Sequence, residues 1–439
     1  MSKPLVAIVG RPNVGKSTFF NRITGKRISI IKDMPGVTRD RIYADADWSG
    51  YDFSLVDTGG IDLKNENEMQ KEIMHQVKIA TELADIIIFM VDGQEGLTSA
   101  DQDAADFLRK SKKTIMLVVN KIDNLGDDSA YDFYRLGLGD PYPISAGQGK
   151  GLTELLDDLI KHFTKVENTE EDKSIKIAIV GKPNAGKSSI LNALLGEDRV
   201  VVSSVAGTTR DAIDTPFEYN GKHYTLIDTA GMRRKRGIEE DSIESYSVIR
   251  ALDAIRRADL VLVVFDAGDV ISEQDVRIAG YVHEQGKPSV IIMNKWDLIE
   301  KDTHTIEKYN DDLLKSLAFM SYFKSMYISA LTRQRINKIM PIVEEVWENT
   351  NRRIATGTLN DILQQAILVN EPKTKNGQRL KILYVTQVDV APPTFILFVN
   401  DAKLMHFSYL RYIENTLRRT IKFEGTPIRI FSRDRSDKE

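Results

Sequence analysis

The chain has 439 residues, of which 42% are hydrophobic and 28% charged, with a net charge of −4 and no cysteine. That length provides for about three domains, and no apolar run approaches the roughly 18 residues that span a membrane. Without cysteine there are no disulfides or thiolate metal sites, as suits a reducing cytosol, and the six scattered histidines offer no metal-ligand cluster.

The chain enters its first strand, Leu5 to Val9, almost at once, which leaves no room for a cleavable signal. Gly10-Arg-Pro-Asn-Val-Gly-Lys-Ser17 follows, a match to G-x-x-x-x-G-K-[ST]. Further β-branched runs at Phe53 to Val56, Asp85 to Val91 and Thr114 to Val119 alternate with helical stretches, the pattern of a parallel sheet covered by helices. Residues 164–174 are acidic and polar and read as a linker, able to reach at most about 36–40 Å when extended. The pattern then repeats: Ile177 to Val180 leads into Gly181-Lys-Pro-Asn-Ala-Gly-Lys-Ser188, with strands at Tyr224 to Ile227, Leu260 to Phe265 and Ser289 to Met293.

The copies keep register. Lys16 and Lys187, Thr38 and Thr209, and Asp57 and Asp228 are all 171 positions apart. The offset is 174 for Asn120-Lys-Ile-Asp123 and Asn294-Lys-Trp-Asp297, and 184 for Ser145-Ala146 and Ser329-Ala330. Insertions of this kind fall in surface loops, where length changes cost little. One fold has been copied twice. The remaining residues read as helix (Thr358 to Val369), loop (Glu371 to Gln378), strands (Leu380 to Val388, Thr394 to Val399), helix (Ser408 to Arg419) and strand (Pro427 to Phe431). The fold class is therefore α/β: two tandem P-loop domains of mostly parallel sheet flanked by helices, at 1–163 and 175–350, then a small α+β domain at 351–439.

Each glycine-rich loop turns backbone N–H groups onto the α- and β-phosphates of a nucleotide, and the following helix adds its N-terminal dipole. Gly10, Asn13, Val14, Gly15, Lys16, Ser17 and Thr18 form the first cradle, and Gly181, Asn184, Ala185, Gly186, Lys187, Ser188 and Ser189 the second. Lys16 and Lys187 reach the β- and γ-phosphates, and the Ser17 and Ser188 hydroxyls reach Mg²⁺. Asp57 and Asp228 end a strand, where each can hold the metal as a Walker-B acid does. Gly60 and Gly231 can offer a backbone N–H to the γ-phosphate. Thr38 and Thr209, in segments without strong periodicity, can close over Mg²⁺ while the γ-phosphate is present and let go after hydrolysis.

Asn-Lys-x-Asp selects the base. The Asp123 or Asp297 carboxylate accepts from guanine N1–H and the N2 amino group, where adenine has no donor and would leave a buried carboxylate unpaired. Asn120 and Asn294 hold the loop and the base edge, the Lys121 and Lys295 stems cover the base face, and the loops at Ser145 and Ser329 bring the Ala146 and Ala330 N–H groups to guanine O6. The nucleotide is GTP.

This order of motifs, twice over and followed by a small basic α+β domain, resembles the bacterial double-GTPase family called Der or EngA along essentially the whole chain. The resemblance implies two translation-factor-related GTPase domains, a C-terminal domain similar to a KH fold, and a role in assembling the large ribosomal subunit. It also implies hydrolysis of GTP with Mg²⁺ and stimulation by potassium, in a cytoplasmic protein expected to act as a monomer with rRNA as partner. The lack of a spanning segment excludes a membrane-transport GTPase. A switch that recruits a protein effector without touching RNA is the alternative.

Several residues bear on mechanism. Ras-like enzymes carry a water-orienting Gln directly after Asp-x-x-Gly; here Ile61 and Met232 stand there and cannot orient water, so intrinsic turnover is expected to be slow. Asn13 and Asn184 are candidate ligands of a monovalent cation, or else cap the loop internally. Arg233-Arg-Lys-Arg236 has no counterpart in the first copy and either contacts the C-terminal domain, RNA or phosphate, or is a solvated loop. Residues 351–439 carry 15 Lys and Arg against 9 Asp and Glu, a footprint for nucleic acid or an uneven split of solvated charge. That domain has glycine only at 357, 377 and 425, so it lacks the Gly-x-x-Gly loop with which KH domains clamp nucleotides. Its interleaved basic and aromatic residues from Lys403 to Arg419 read as RNA contacts or, at helical spacing, as core.

Overall fold

The computed structural model describes residues 4–25, 43–57, 73–163 except 75, 79, 82–83 and 125–127, 174–202 except 198, 214–229, and 250–434 except 373 and 376–377. They form two compact units, one of described residues up to 163 and the other from 174 onward.

The first unit is a six-stranded sheet in the order β2-β3-β1-β4-β5-β6. Its strands are β1 (Leu5–Val9), β2 (Tyr43–Trp48), β3 (Tyr51–Asp57), β4 (Ile86–Asp92), β5 (Thr114–Asn120) and β6 (Tyr142–Pro143). Only β2 runs antiparallel to its neighbour. The run Ile86–Asp92 is buried along its whole length, as a parallel strand covered on both faces must be. Successive β1 residues feed opposite layers: Leu5, Ala7 and Val9 pack with Ala104, Ala105 and Leu108, while Val6 and Ile8 pack with Phe19, Phe20 and Leu155. Those partners sit on α1 (Lys16–Thr24), α2 (Ser99–Arg109) and α3 (Leu152–Lys161).

The second unit repeats the plan in seven strands, ordered β13-β12-β11-β7-β10-β9-β8. They are β7 (Ile175–Val180), β8 (Val200–Val202), β9 (Thr215–Tyr219), β10 (Lys222–Leu226), β11 (Leu260–Asp266), β12 (Ser289–Asn294) and β13 (Lys324–Tyr327). The flanking helices include α4 (Lys187–Leu195), α5 (Glu273–Glu284), α6 (Thr305–Ser316) and α7 (Ile339–Thr350).

The C-terminal part of this unit comprises α8 (Thr356–Val369), β14 (Thr374–Lys375), β15 (Gln378–Arg379), β16 (Ile382–Val390), β17 (Pro393–Val399), α9 (Phe407–Thr420) and β18 (Arg429–Asp434). Strands β16, β17 and β18 form one sheet, with β17 and β18 parallel, and α8 and α9 share a core with one of its faces. Three expectations shift. The stretch expected as a loop at 371–378 contains the β14–β15 ladder. The strand expected at 380–388 pairs from Ile382 to Val390. The last strand begins at Arg429 rather than Pro427, because Pro427 has no N–H to pair and Thr426 N–H turns back to Phe423 O at 3.1 Å.

The C-terminal part docks on the second sheet through a segment centred on Gly425. Gly425 N–H donates to Tyr322 O and Ser289 N–H donates to Gly425 O, each at 2.7 Å. Glycine is required here twice over: its φ is +74°, and a Cβ would lie 2.5 Å from Val346. Around it, Thr350 and Thr426 are fully buried with hydroxyls 2.9 Å apart, and Lys324 bonds Glu424 at 2.6 Å. The Arg418 guanidinium stacks 4.5 Å above the Tyr322 ring, whose hydroxyl meets His283 Nδ1 at 2.9 Å.

Burial, with the Arg418 and Arg429 guanidiniums close by, lowers the His283 pKa to about 4. A histidine held neutral in the fold and near 6.5 when unfolded adds stability that is complete above about pH 6.5 and lost as pH falls toward 4. The folding stability of the chain is therefore expected to fall by about 3 kcal/mol across that window. The His283→Gln chain, followed by calorimetry over the same pH range, should show a flatter profile.

Candidate nucleotide-binding sites

Both glycine-rich loops leave the central strand at its C-terminal end. β1 lies between β3 and β4, and β7 between β10 and β11, the point where strand order reverses and ligands bind in open α/β sheets. Gly10 and Gly181 pass so close to the neighbouring strand that a Cβ would meet Met90 O or Val264 O at 2.2 Å. Asn13 and Asn184, exposed at the loop tips, adopt φ of 66° and 65°, a left-handed conformation that asparagine tolerates. The loops end at Gly15 and Gly186, with φ of 99° and 93°, and α1 and α4 begin at Lys16 and Lys187. Val14 and Ala185 are buried, whereas Thr18 and Ser189 are exposed on the first helical turns.

Each loop lysine folds back over its own loop. Lys16 Nζ donates to Gly10 O at 2.6 Å and Arg11 O at 2.7 Å; Lys187 Nζ donates to Gly181 O at 2.8 Å and Lys182 O at 2.7 Å. This holds an ammonium against the loop at the start of the following helix, where positive charge and the helix N-terminus together suit a phosphate.

The base motif is tied to the phosphate loop by one side chain. Asn120 Nδ2 donates to Val14 O at 2.7 Å, and its Oδ1 accepts from Ala146 N at 2.9 Å. Asn294 does the same with Ala185 O at 2.9 Å and Ala330 N at 3.0 Å. The Ala146 and Ala330 N–H groups, expected at guanine O6, thus donate to asparagine in this structure. Lys121 and Lys295 follow with φ of 67° and 62°, and each ammonium is pinned 2.5 Å from Asp92 or Asp266. Burial pushes the Asp92 carboxyl up, but Lys121 and the Glu95 and Gln94 N–H groups outweigh it and hold it below the usual carboxylate range.

The specificity carboxylates differ between copies. Asp123 Oδ1 accepts from Ser145 Oγ at 2.9 Å, while Asp297 Oδ1 is buried with no hydrogen-bond partner among the described residues, and Ser329 Oγ accepts from Thr332 N at 3.1 Å. A buried acceptor without a donor fits the paired donors of a guanine edge.

The metal-site aspartates differ more. Asp57 is the last residue of β3, and its Oδ2 accepts from Ser17 Oγ at 2.8 Å. Asp228 does not end a strand as expected. β10 stops at Leu226, Asp228 turns to φ 56°, and its N–H donates to Asp214 Oδ1 at 3.0 Å. Arg257 pairs with that same Asp214. Burial pushes the Asp228 carboxyl up to about 6 in spite of Arg250 and Arg257 nearby. Thr38, Gly60, Ile61, Thr209, Gly231, Met232 and residues 233–236 lie outside the described residues.

One contact escaped the motif reading. Residue 11 or 182, inside the loop, is a cation bound to the capping aspartate of the helix that follows the neighbouring strand of the sheet, β4 or β11. Arg11 Nε meets Asp101 at 2.9 Å, and Lys182 Nζ lies 3.6 Å from Asp275. Thr98 with Asp101 and Ser272 with Asp275 form complete capping boxes on α2 and α5. The signal was available: Asp92 and Asp266, Thr98 and Ser272, and Asp101 and Asp275 all keep the 174-residue offset.

Two family models match the chain, in three regions. One, described as 50S ribosome-binding GTPase, matches residues 5–121 and again 176–295; the other, the C-terminal KH-domain-like region of EngA bacterial GTPase enzymes, matches 353–433. GTPase Der of Alkaliphilus metalliredigens is 53% identical over 441 residues, covering all of both chains. The chain belongs to the Der family of GTPases. GTPase Der of Staphylococcus aureus strain Newman is likewise 53% identical over 438 residues, 99% of this chain and 100% of its own. Among solved structures, a point variant of Aquifex aeolicus Era bound to GDP·AlF4− is 19% identical, covers 60% of this chain and 95% of its own, and has a TM-score of 0.30. Like other Der proteins, the chain hydrolyses GTP, and its family implies GTP or GDP together with Mg²⁺. The residues fit that metal: Ser17 and Asp57 bring hydroxyl and carboxylate oxygens, the hard donors Mg²⁺ takes, within 2.8 Å of each other.

A Cβ on Gly15 would lie 2.2 Å from Asn120 Nδ2, and one on Gly186 2.1 Å from Asn294 Nδ2, at φ angles that L-residues avoid. Gly15→Ala and Gly186→Ala are therefore each expected to lower the affinity of their own copy for a fluorescent GDP analogue about a hundredfold. The other copy should retain its affinity, so titration should show one tight site in place of two.

Proposed function

We propose that the chain is a GTP-driven switch that binds ribosomal particles and acts in assembly of the large ribosomal subunit, touching rRNA through basic surface. The observation that carries this reading is the retention of both asparagine clamps, each joining a phosphate loop to a base motif. Its support from relatives is the match to a family described as 50S ribosome-binding GTPase. The division of labour follows domains at 1–163, 175–350 and 351–439, with 164–174 as linker. The chain acts as a monomer in the cytoplasm.

In each site the loop N–H groups and Lys16 or Lys187 bind the phosphates and offset charge that builds on them during hydrolysis. Asp123 and Asp297 read guanine, the lysine stems at 121 and 295 cover the base, and the alanine N–H groups at 146 and 330 hold the asparagine clamps. Ser17, Asp57 and Thr38 would hold Mg²⁺ in the first site, and Ser188, Asp228 and Thr209 in the second. Bound there, Mg²⁺ neutralises phosphate charge and orients the β- and γ-oxygens. Gly60 and Gly231 N–H groups sense the γ-phosphate, and the threonine segments close and release with it. With Ile61 and Met232 where a glutamine orients water in Ras-like enzymes, intrinsic turnover is slow. Asn13 and Asn184 supply an oxygen to a potassium ion beside the phosphates.

The role of each copy is read from co-sedimentation with large ribosomal subunits. Lys16→Ala and Lys187→Ala, compared in a GTP analogue and in GDP, should each abolish the nucleotide dependence that their own site imposes. Equal pelleting of all three chains in both nucleotides would remove the switch reading. Single-turnover hydrolysis should run at least about tenfold faster in K⁺ than in Na⁺, as an added transition-state cation implies. Asn13→Ala and Asn184→Ala should erase that difference, and equal rates in the two salts would remove potassium from the mechanism.

A further inference from the structure

We propose that the face of the C-terminal sheet turned away from its helices is a stacking platform for unpaired RNA bases, which stands in for the missing Gly-x-x-Gly loop. The inference rests on the reading that the chain touches rRNA, and it names the surface and the kind of RNA.

Strand alternation defines the face. Phe395, Leu397, Val399 and Val385 belong to the core under α8 and α9, and Ile430 packs against it. Their neighbours therefore point the other way, and the register lays those neighbours in rows across the three strands. One row is Tyr384, Phe398 and Arg433; the next is Thr386, Ile396 and Phe431; the third is Asp389, Thr394 and Arg429. Tyr384 and Phe398 confirm the shared side, since their rings stack 4.4 Å apart at an interplanar angle of 16°.

This face is at odds with a protein surface left to water. Phe431 is 48% exposed and Tyr384 40%, while Ile396 between them is only 7% exposed. An apolar floor carries two open aromatic faces. Arg433 stands beside Phe431 on the edge strand and forms no ion pair among the described residues, whereas the Arg429 guanidinium turns to the seam, beside Gly286 and close to His283. Asp389, in the third row, accepts Val390 N–H at 2.7 Å, and Asp434 accepts from Ala402 N–H on the helix side.

The chemistry selects the occupant. Aromatic faces take bases of any sequence, and arginines beside them take the phosphates between those bases. Rows on one face repeat about every 7 Å along a strand, a step that an extended single strand can follow. A duplex keeps its bases stacked inside and presents no base face to Tyr384 or Phe431. An apolar protein partner would have no use for Arg433 in its contact, because buried charge without a partner is costly.

The test uses the full-length chain and fluorescence anisotropy with a labelled uridine decamer and a ten-base-pair RNA duplex. Tyr384→Ser and Phe431→Ser should each weaken decamer binding about tenfold, with duplex binding changed less than about twofold. Tyr384→Trp should keep wild-type affinity, and Arg433→Gln should reduce the salt dependence by about one phosphate contact. GTP turnover and thermal unfolding of each variant serve as folding controls. Should Phe431→Ser fail them, Phe431→Leu, which keeps apolar bulk but has no aromatic face, decides in its place. Unchanged decamer affinity in the folded serine variants overturns the platform, as does cross-linking that finds a protein segment on this face in the RNA-bound state. Wild-type pelleting with large subunits separates the two readings. Particle binding with variant-insensitive decamer binding sinks the platform alone, whereas variant-sensitive decamer binding without particle binding sinks the assembly role alone.

Discussion

Each candidate nucleotide site in this chain is held together by one buried amide. Asn120 and Asn294 each spend one end on the backbone of the phosphate loop and the other on the backbone of the last base-binding loop. Three segments far apart in sequence are thereby held as one rigid cradle. The cost of leaving such an amide or its partners unpaired in the interior is what makes the arrangement obligatory. Gly15 and Gly186 are glycine for the same reason, because any side chain there would occupy the amide's place.

On that shared frame the two copies have parted at the metal end. In the first, Ser17 and Asp57 meet directly across the strand end. In the second, Asp228 is drawn out of line by Asp214, itself paired with Arg257, and its carboxyl is harder to ionise because it is buried. The clamp and the loop lysine are unaffected.

The second copy also carries the C-terminal domain as part of its own compact unit. Gly425 joins the backbone of both parts, with the Thr350–Thr426 pair and the Arg418–Tyr322–His283 stack closing the seam. This seam leaves the outer face of the C-terminal sheet exposed, with Tyr384 and Phe431 open.

The repeat, the fold class and the nucleotide were legible in the sequence because each motif must keep both its residue types and its spacing. A phosphate loop without its glycines would collide with a neighbouring strand, and a guanine site without Asp123 or Asp297 would not read guanine. The same register held the Arg11–Asp101 and Lys182–Asp275 ties, unnoticed because a lone aspartate carries no motif. What only tertiary structure decided was which groups without local pattern come together. Gly425 looks like any turn glycine until Tyr322 and Ser289, from distant strands, close on it. Tyr384 and Phe431 look like core residues until pairing through β17 puts them on the side the helices leave open. Local chemistry is written in spacing along the chain, whereas these contacts join residues tens to more than a hundred positions apart, and folding alone brings them into reach.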